Sequence, residues 1–325
     1  MRMVRIGGLM LSALLLCACA AGAQNMQPQE RVDINLGQLQ TNQQGIPLLK
    51  VYVTETEQID QMDVETYVQG VLAGEMKNDW PMEALKAQAI LARTFVLKFV
   101  QEKESRYEGA DISTDIEEAQ AYDASAINSR ICQAVQETEG LVLMNGKQLP
   151  YAWFHAHSGG VTELARAGLG WDKEEPAYTR SVKGNEPDTA EDGQALRDAA
   201  EWQARFTFAE VEAACAKQGI KTEVSAATRL SIGKRGESGR AVALYIGNQT
   251  VQAAELRLAL GSTKMRSTLL TGLKTDENGV VMAGKGYGHG VGMSQWGAYG
   301  MAQQGKSAQE IVTHYFRDVT VAKVW

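Results

Sequence analysis

Asp63 to Phe99, DVETYVQGVLAGEMKNDWPMEALKAQAILARTFVLKF, is the stretch that decides how this chain is organised. Asp63 reads as an N-cap, and Val64, Tyr67, Val68, Val71, Leu72, Glu75 and Met76 follow at helical spacing. Pro81 sits at or next to the first turn of a second helix, with Leu85, Ala89, Ala92, Val96 and Phe99 on one face. Before this pair, Leu48 to Val53 alternate as a short strand. After it, Gly140 to Met144 and Leu149 to Phe154 read as strands joined at an Asn145-Gly146 turn, which predicts a hairpin. An acidic, proline-containing surface loop spans about 182–193. Thr207-Phe208-Ala209-Glu210 is a capping box for a helix ending at Gly219. A β-rich part runs from Val224 to about Val251, with turns at Gly236 to Gly239 and at Gly247-Asn248. Ser294 caps a helix stopped by Gly305, whose Gly297, Ala298, Gly300 and Ala302 would let another backbone come close. Ser307-Ala308-Gln309-Glu310 opens a last helix striped with Ile311, Val312, Tyr315 and Phe316. Helices and hairpins interleaved in this way predict an α+β fold of two lobes with a cleft between them, where a ligand site is expected.

At 325 residues, 44% hydrophobic and 22% charged, the chain is globular and long enough for two lobes. A net charge of −7 without a Lys/Arg run argues against nucleic acid as a partner. Residues 1–23 read as an export signal: Met1, Arg2 and Arg5 are followed by an apolar run, Ile6 to Leu16, too short to span a bilayer. Two processing sites compete there. Leu16-Cys17-Ala18-Cys19 resembles a lipobox with Cys19 acylated, while Ala21-Gly22-Ala23 fits cleavage before Gln24. The first is favoured slightly, and the membrane would then be reached only through that anchor or signal, on its extracytoplasmic face. Residues 24–45 are Gln/Asn-rich and read as a polar linker, with folded structure starting near Ile46. Cys132 and Cys215 are left in the mature body, and one disulfide or two buried thiols fit equally.

Glycine occupies every second position from Gly284 to Gly292 in GKGYGHGVGMSQWGAYGMA. In an extended segment this leaves one side bare, with Lys285, Tyr287, His289, Val291 and Met293 on the other. Packing against a neighbouring element explains one such glycine; for five, a binding cleft is the favoured expectation.

Glu75 lies on the apolar stripe near a helix C-terminus, where desolvation and the macrodipole both raise a carboxyl pKa, as a general acid requires. The competing reading pairs it with Lys77 or Lys86. His155 and His157 would share a strand face, but two ligands without a third are weak evidence for zinc. Ser158 as a nucleophile lacks the Gly-x-Ser-x-Gly elbow.

Residues 67–76, then Trp80-Pro81, then 83–94, resemble the N-terminal signature of the SpoIID/LytB family, which includes the stage II sporulation protein D and the amidase enhancer. Residues 154–162, FHAHSGGVT, resemble its central His-Ser-Gly-Gly segment, and residues 286–302 its C-terminal signature. The resemblance spans about 48–325 and makes 46–325 one family domain, with 183–270 as a more variable part. It implies a lytic transglycosylase that cuts peptidoglycan glycan strands, with Glu75 as the catalytic acid and Arg93, His155, Ser158, Tyr287, His289 and Gln295 lining the cleft. Arg93 has a structural ion pair as a serious competing role. Some members bind a metal through His and Cys near the central segment; here no cysteine lies between His155 and Trp171, so neither metal nor other cofactor is expected. His157 stands where the family more usually has a small residue. A second reading uses the same cleft, a non-catalytic glycan-binding enhancer with a cell-wall amidase as partner; a third is a metal-dependent amidase.

Overall fold

A computed structural model describes residues 31–37 and 39–325; the export signal read at 1–23 lies outside them. The fold is α+β, with two hydrophobic cores. The first core begins with β1 (Leu48–Val53), which pairs antiparallel with β2 (Gln58–Asp63) and parallel with β3 (Ile112–Ser113). Between them run α1 (Val64–Glu75) and α2 (Met82–Glu102), then α3 (Ser129–Glu137) and β4 (Leu141–Met144). Asp63 caps α1 by accepting the Thr66 N–H at 2.8 Å. The apolar faces of both helices, including Val68, Leu72, Leu85 and Val96, are fully buried.

β5 (Phe154–His155) and α4 (Ala165–Leu169) lead towards the second core. α5 (Gly193–Ala200) still packs Leu196 and Ala199 on the first core; the second contains β6 (Glu201–Phe206), α6 (Phe208–Ala216), β7 (Leu230–Ile232), β8 (Ala243–Ile246), β9 (Gln249–Gln252) and α7 (Ala253–Ala259). β10 (Leu270–Asp276) and β11 (Gly279–Lys285) complete it, giving sheets ordered β10-β11-β6 and β7-β8-β9. The chain then returns to the first core through β12 (Met293–Ser294), α8 (Gln295–Gln303), α9 (Ala308–Tyr315) and β13 (Thr320–Lys323). Both capping boxes form, at Thr207/Glu210 and Ser307/Glu310. No helix among the described residues is long and apolar enough to cross a membrane.

Three expectations change. The Asn145-Gly146 turn closes only one bridge, Asn145 to Gln148; Pro150 has no N–H to continue a ladder, and β4 pairs instead with the C-terminal β13. β5 finds its partner in β12, in parallel register, Phe154 to Met293 and His155 to Ser294. Residues 31–37 of the segment read as linker lie on the first core, where Val32 N–H donates to the Lys323 carbonyl at 2.8 Å and Ile34 and Leu36 pack.

Arg93 is also corrected. Its side chain is fully buried and pairs with Glu65, Nε to Oε1 at 3.0 Å, while Nη1 donates to the Leu141 carbonyl at 2.9 Å. Glu65 Oε1 also accepts the Gly140 N–H at 2.9 Å and the Trp325 indole N–H at 3.1 Å, so this ion pair ties α1 and α2 to β4 and the C-terminus. Arg93 is a structural residue. Arg93→Met strands the Glu65 carboxylate without its cation, and thermal or denaturant unfolding should show a loss of about 3–5 kcal/mol.

Candidate functional site

Glu75 is the last residue of α1 and is partly exposed. Its placement depends on two glycines earlier in the helix. A Cβ on Gly70 would fall 2.2 Å from the Tyr122 ring, and one on Gly74 would fall 2.7 Å from the Tyr122 backbone nitrogen. The segment at 121–122 can therefore lie directly against α1, and Ala121 N–H donates to Glu75 Oε1 at 2.8 Å. The second donor is the Gln295 side-chain amide at the start of α8, 3.3 Å from Glu75 Oε2. Burial raises the Glu75 pKa, and these two hydrogen bonds oppose the rise without cancelling it. Neither lysine considered as a partner reaches it: Lys77 pairs with Asp192, and Lys86 with Glu83 and Glu137.

The carboxyl opens on a surface depression of about 440 Å³ lined by Ala73, Lys77, Asn78, Asp79 and Ala126. Lys77 and Asp79 also line a second hollow of about 170 Å³ beside Trp80, Trp296 and Tyr299. Ala190 connects that hollow to a third, of about 560 Å³, lined by His157, Gly160, Glu186, Arg197 and Lys285. These depressions share walls in sequence.

The glycine segment does not continue β11 as an open strand. Gly286, Gly288, Gly290 and Gly292 have φ of 77, 109, 85 and 71°, a left-handed region that other residues rarely enter. Their bare sides are covered. A Cβ on Gly286 would lie 2.6 Å from the His157 carbonyl, and one on Gly292 would lie 2.0 Å from the Trp153 carbonyl. Close packing on 153–159 replaces the open cleft expected for this segment.

His155 and His289 hold that packing in place. Nδ1–H of His155 donates to the Val291 carbonyl at 3.1 Å, and Val291 N–H donates to Nδ1 of His289 at 3.0 Å. The rings stand 5.7 Å apart. Burial, then its neighbours His289 and Arg240, push His155 well below the ordinary imidazole range. Burial, Arg257 and Arg240 bring His289 down to about 3, so both rings are neutral at pH 7. His155 Nε2 is buried with no partner among the described residues. Tyr287 is partly exposed, paired through its backbone with His157 and faced by the Arg266 guanidinium 5.3 Å from its ring centre.

Ser158 is fully buried. Its Oγ accepts the Gly160 N–H at 3.0 Å, its N–H donates to Glu186 Oε1 at 2.7 Å, and its carbonyl accepts from Arg240 Nη2 at 2.7 Å. His157 Nδ1 is occupied by the Gly159 N–H at 3.0 Å, so no serine–histidine pair forms there. Among the described residues no cluster of three or more His, Cys, Asp or Glu is arranged to hold a metal. Cys132 and Cys215 are free thiols; Cys215 is buried in the second core.

The geometry therefore brings Glu75 and Gln295 together and gives His155, His289 and Ser158 to the scaffold beside them. Sequence reasoning missed Glu186, inside a loop read only as acidic surface, and Arg240, inside a β-rich part read only for its turns. The glycines at 70 and 74 were the legible signal that a backbone meets α1.

The family model described as stage II sporulation protein matches residues 52–145, and a domain of unknown function matches 171–292. The chain is 31% identical over 291 residues to stage II sporulation protein D of Bacillus subtilis (strain 168), covering 85% of this chain and 79% of that one. It is 30% identical over 268 residues to an uncharacterized protein of Brachyspira hyodysenteriae, covering 81% and 67%. It is 26% identical over 292 residues to the amidase enhancer of Bacillus subtilis (strain 168), covering 78% of this chain and 40% of that longer protein. With those matches extending across both cores, the chain belongs to the SpoIID/LytB family.

Proposed function

We propose that this protein is an exported cell-wall enzyme that cleaves peptidoglycan glycan strands between N-acetylmuramic acid and N-acetylglucosamine by lytic transglycosylation. The observation that carries the reading is the raised, partly buried Glu75 carboxyl at an open depression. Hydrolytic glycosidases commonly use two carboxylates, one of them to activate water or to attack the sugar. A lytic transglycosylase uses the C6 hydroxyl of the muramic acid itself. Protonated Glu75 gives its proton to the glycosidic oxygen as the bond to C1 breaks; the resulting carboxylate then takes the proton of the C6 hydroxyl as that oxygen attacks C1. The products are a 1,6-anhydro sugar and a new chain end. One acid that is regenerated in each cycle suffices. The N-terminal sequence supports action outside the cytoplasm.

A second reading comes from the likeness to an amidase enhancer: the same groove holds glycan and stimulates a separate cell-wall amidase without cutting. Glu75→Gln separates the two. Chromatography of peptide-free glycan strands after incubation should show 1,6-anhydro ends with wild type, reduced about 10²–10⁴-fold in the variant. If wild type yields none yet accelerates a partner amidase, and Glu75→Gln does so equally, the enhancer reading replaces the enzyme.

The raised pKa also sets two pH effects. The acid form is the active one, so kcat/KM should fall as pH rises through the pKa of Glu75 in the free enzyme, and this limb should vanish in the residual activity of Glu75→Gln. For stability, the folded state holds the Glu75 proton more tightly than the unfolded chain does. Folding therefore loses free energy as pH rises above the unfolded carboxyl pKa, until the folded group has also ionised. Glu75→Gln removes that penalty, so its melting temperature should exceed that of wild type at pH 8 and converge with it near pH 4.

A further inference from the structure

Glu186 lies between α4 and α5 with its side chain only 7% exposed. Its Oε1 accepts the Ser158 N–H and the Ser294 hydroxyl, both at 2.7 Å. The Ser294 hydroxyl in turn accepts the Gly297 N–H at 3.2 Å as the N-cap of α8, and the next residue, Gln295, sends its amide to Glu75. The loop that carries Glu186 is itself fixed: the Tyr315 hydroxyl donates to the Gly184 carbonyl, and His314 Nε2 sits 2.8 Å from the Lys183 carbonyl. His157, 3.9 Å away on the 157–160 loop, faces Glu186 as an imidazole whose pKa burial lowers, and the Arg240 guanidinium lies behind it. Burial alone would raise its pKa, but His157 and the bonds from Ser158 and Ser294 outweigh burial and hold it below the ordinary carboxylate range. It is an anion at the positive end of a helix.

We propose that Glu186 is the positioning residue for Glu75: its carboxylate joins the Ser158 loop to the N-cap of α8 and so fixes where the Gln295 amide meets the Glu75 carboxyl. Removing Glu186 frees the Ser294 hydroxyl and lets the first turn of α8 drift. The effect reaches Glu75 only through Gln295, so the two residues act as one unit and their effects cannot add.

The kinetic arm of the test rests on the transglycosylase reading; the titration arm does not. Carbon-13 NMR of the Glu75 side-chain carboxyl should be followed against pH in wild type, Glu186→Ala, Gln295→Ala and the double variant, with Tyr67, Lys77 and Asp79 the titratable neighbours around Glu75. Loss of the Gln295 donor raises the Glu75 midpoint. Glu186→Ala should therefore move it upward, and the double variant should move it no further than Gln295→Ala alone. On peptide-free glycan, Glu186→Ala should lower kcat about 10–100-fold with KM held within about two-fold, as misplacement of a reacting group requires. Glu186→Gln keeps an acceptor in the same place and should fold where Ala does not, with a smaller upward shift. A Glu75 midpoint unchanged in the folded Glu186 variants, or shifts that add in the double variant, overturns the proposal. Should wild type cut no glycan while the midpoints shift as expected, the positioning role stands and the enzymatic reading falls.

Discussion

Gly286, Gly288, Gly290 and Gly292 give the chain a backbone path that residues with side chains would resist, and the return from the second core depends on it. Because those glycines carry no Cβ, the segment lies flat on 153–159, β12 meets β5, and Ser294 arrives beside His155. The start of α8 is thereby brought beside the 153–159 segment, where the Ser294 hydroxyl meets Glu186. Gln295 reaches Glu75 from 220 residues away only because this packing has brought the two ends of the family domain together. The same contact explains the neutral histidines, whose ring nitrogens hold the N–H and C=O of Val291. A charged imidazole enclosed there would be costly.

From the other side the second core holds the same loop through Arg240. Its fully buried guanidinium donates to the carbonyls of Ser158 at 2.7 Å and Val161 at 3.1 Å, and a Cβ on Gly290 would lie 2.3 Å from its Cζ. Glu163, also fully buried, accepts from the Ser238 hydroxyl at 2.6 Å and from the backbone N–H groups of Ser238 and Glu237. The His-Ser-Gly-Gly segment is thus gripped by an arginine and an acidic loop, one from each side. Such a segment would lose little entropy on binding a ligand, because its conformation is already fixed.

What the sequence revealed follows the range of the interactions. Asp63, Thr207 and Ser307 announce helices because each cap is satisfied within three residues, and β1 and α1 appear where periodicity places them. The parallel pairing of β5 with β12 joins residues far apart in the chain, and no local pattern encodes it. Glu75 was legible as an acid on an apolar stripe, and Gln295 only through the family resemblance, among the candidates for lining the cleft; their contact was not. Glu186 was not, because its neighbours in sequence are polar and its burial comes from Tyr315, Ser294 and Ser158. Arg93 resembled a site residue because it lies in a signature stretch, yet its partner Glu65 sits one helix away, just before that stretch begins.

On the transglycosylase reading proposed above, the choice of donors at Glu75 bears on how one carboxyl would serve as acid and then base. A backbone N–H and a primary amide are neutral; they stabilise the anion modestly, and the pKa stays above the ordinary carboxyl value. A lysine in either position would favour the anion more strongly and hold it too firmly to pick up a proton at neutral pH. Both nearby candidates are taken up elsewhere: Lys77 by Asp192 on the far side of the groove, Lys86 by Glu83 and Glu137. Those acidic partners therefore do more than satisfy two lysines. By occupying the two ammonium groups they leave Glu75 with neutral hydrogen-bond donors, which would let the carboxyl alternate between its two forms with its geometry fixed in each.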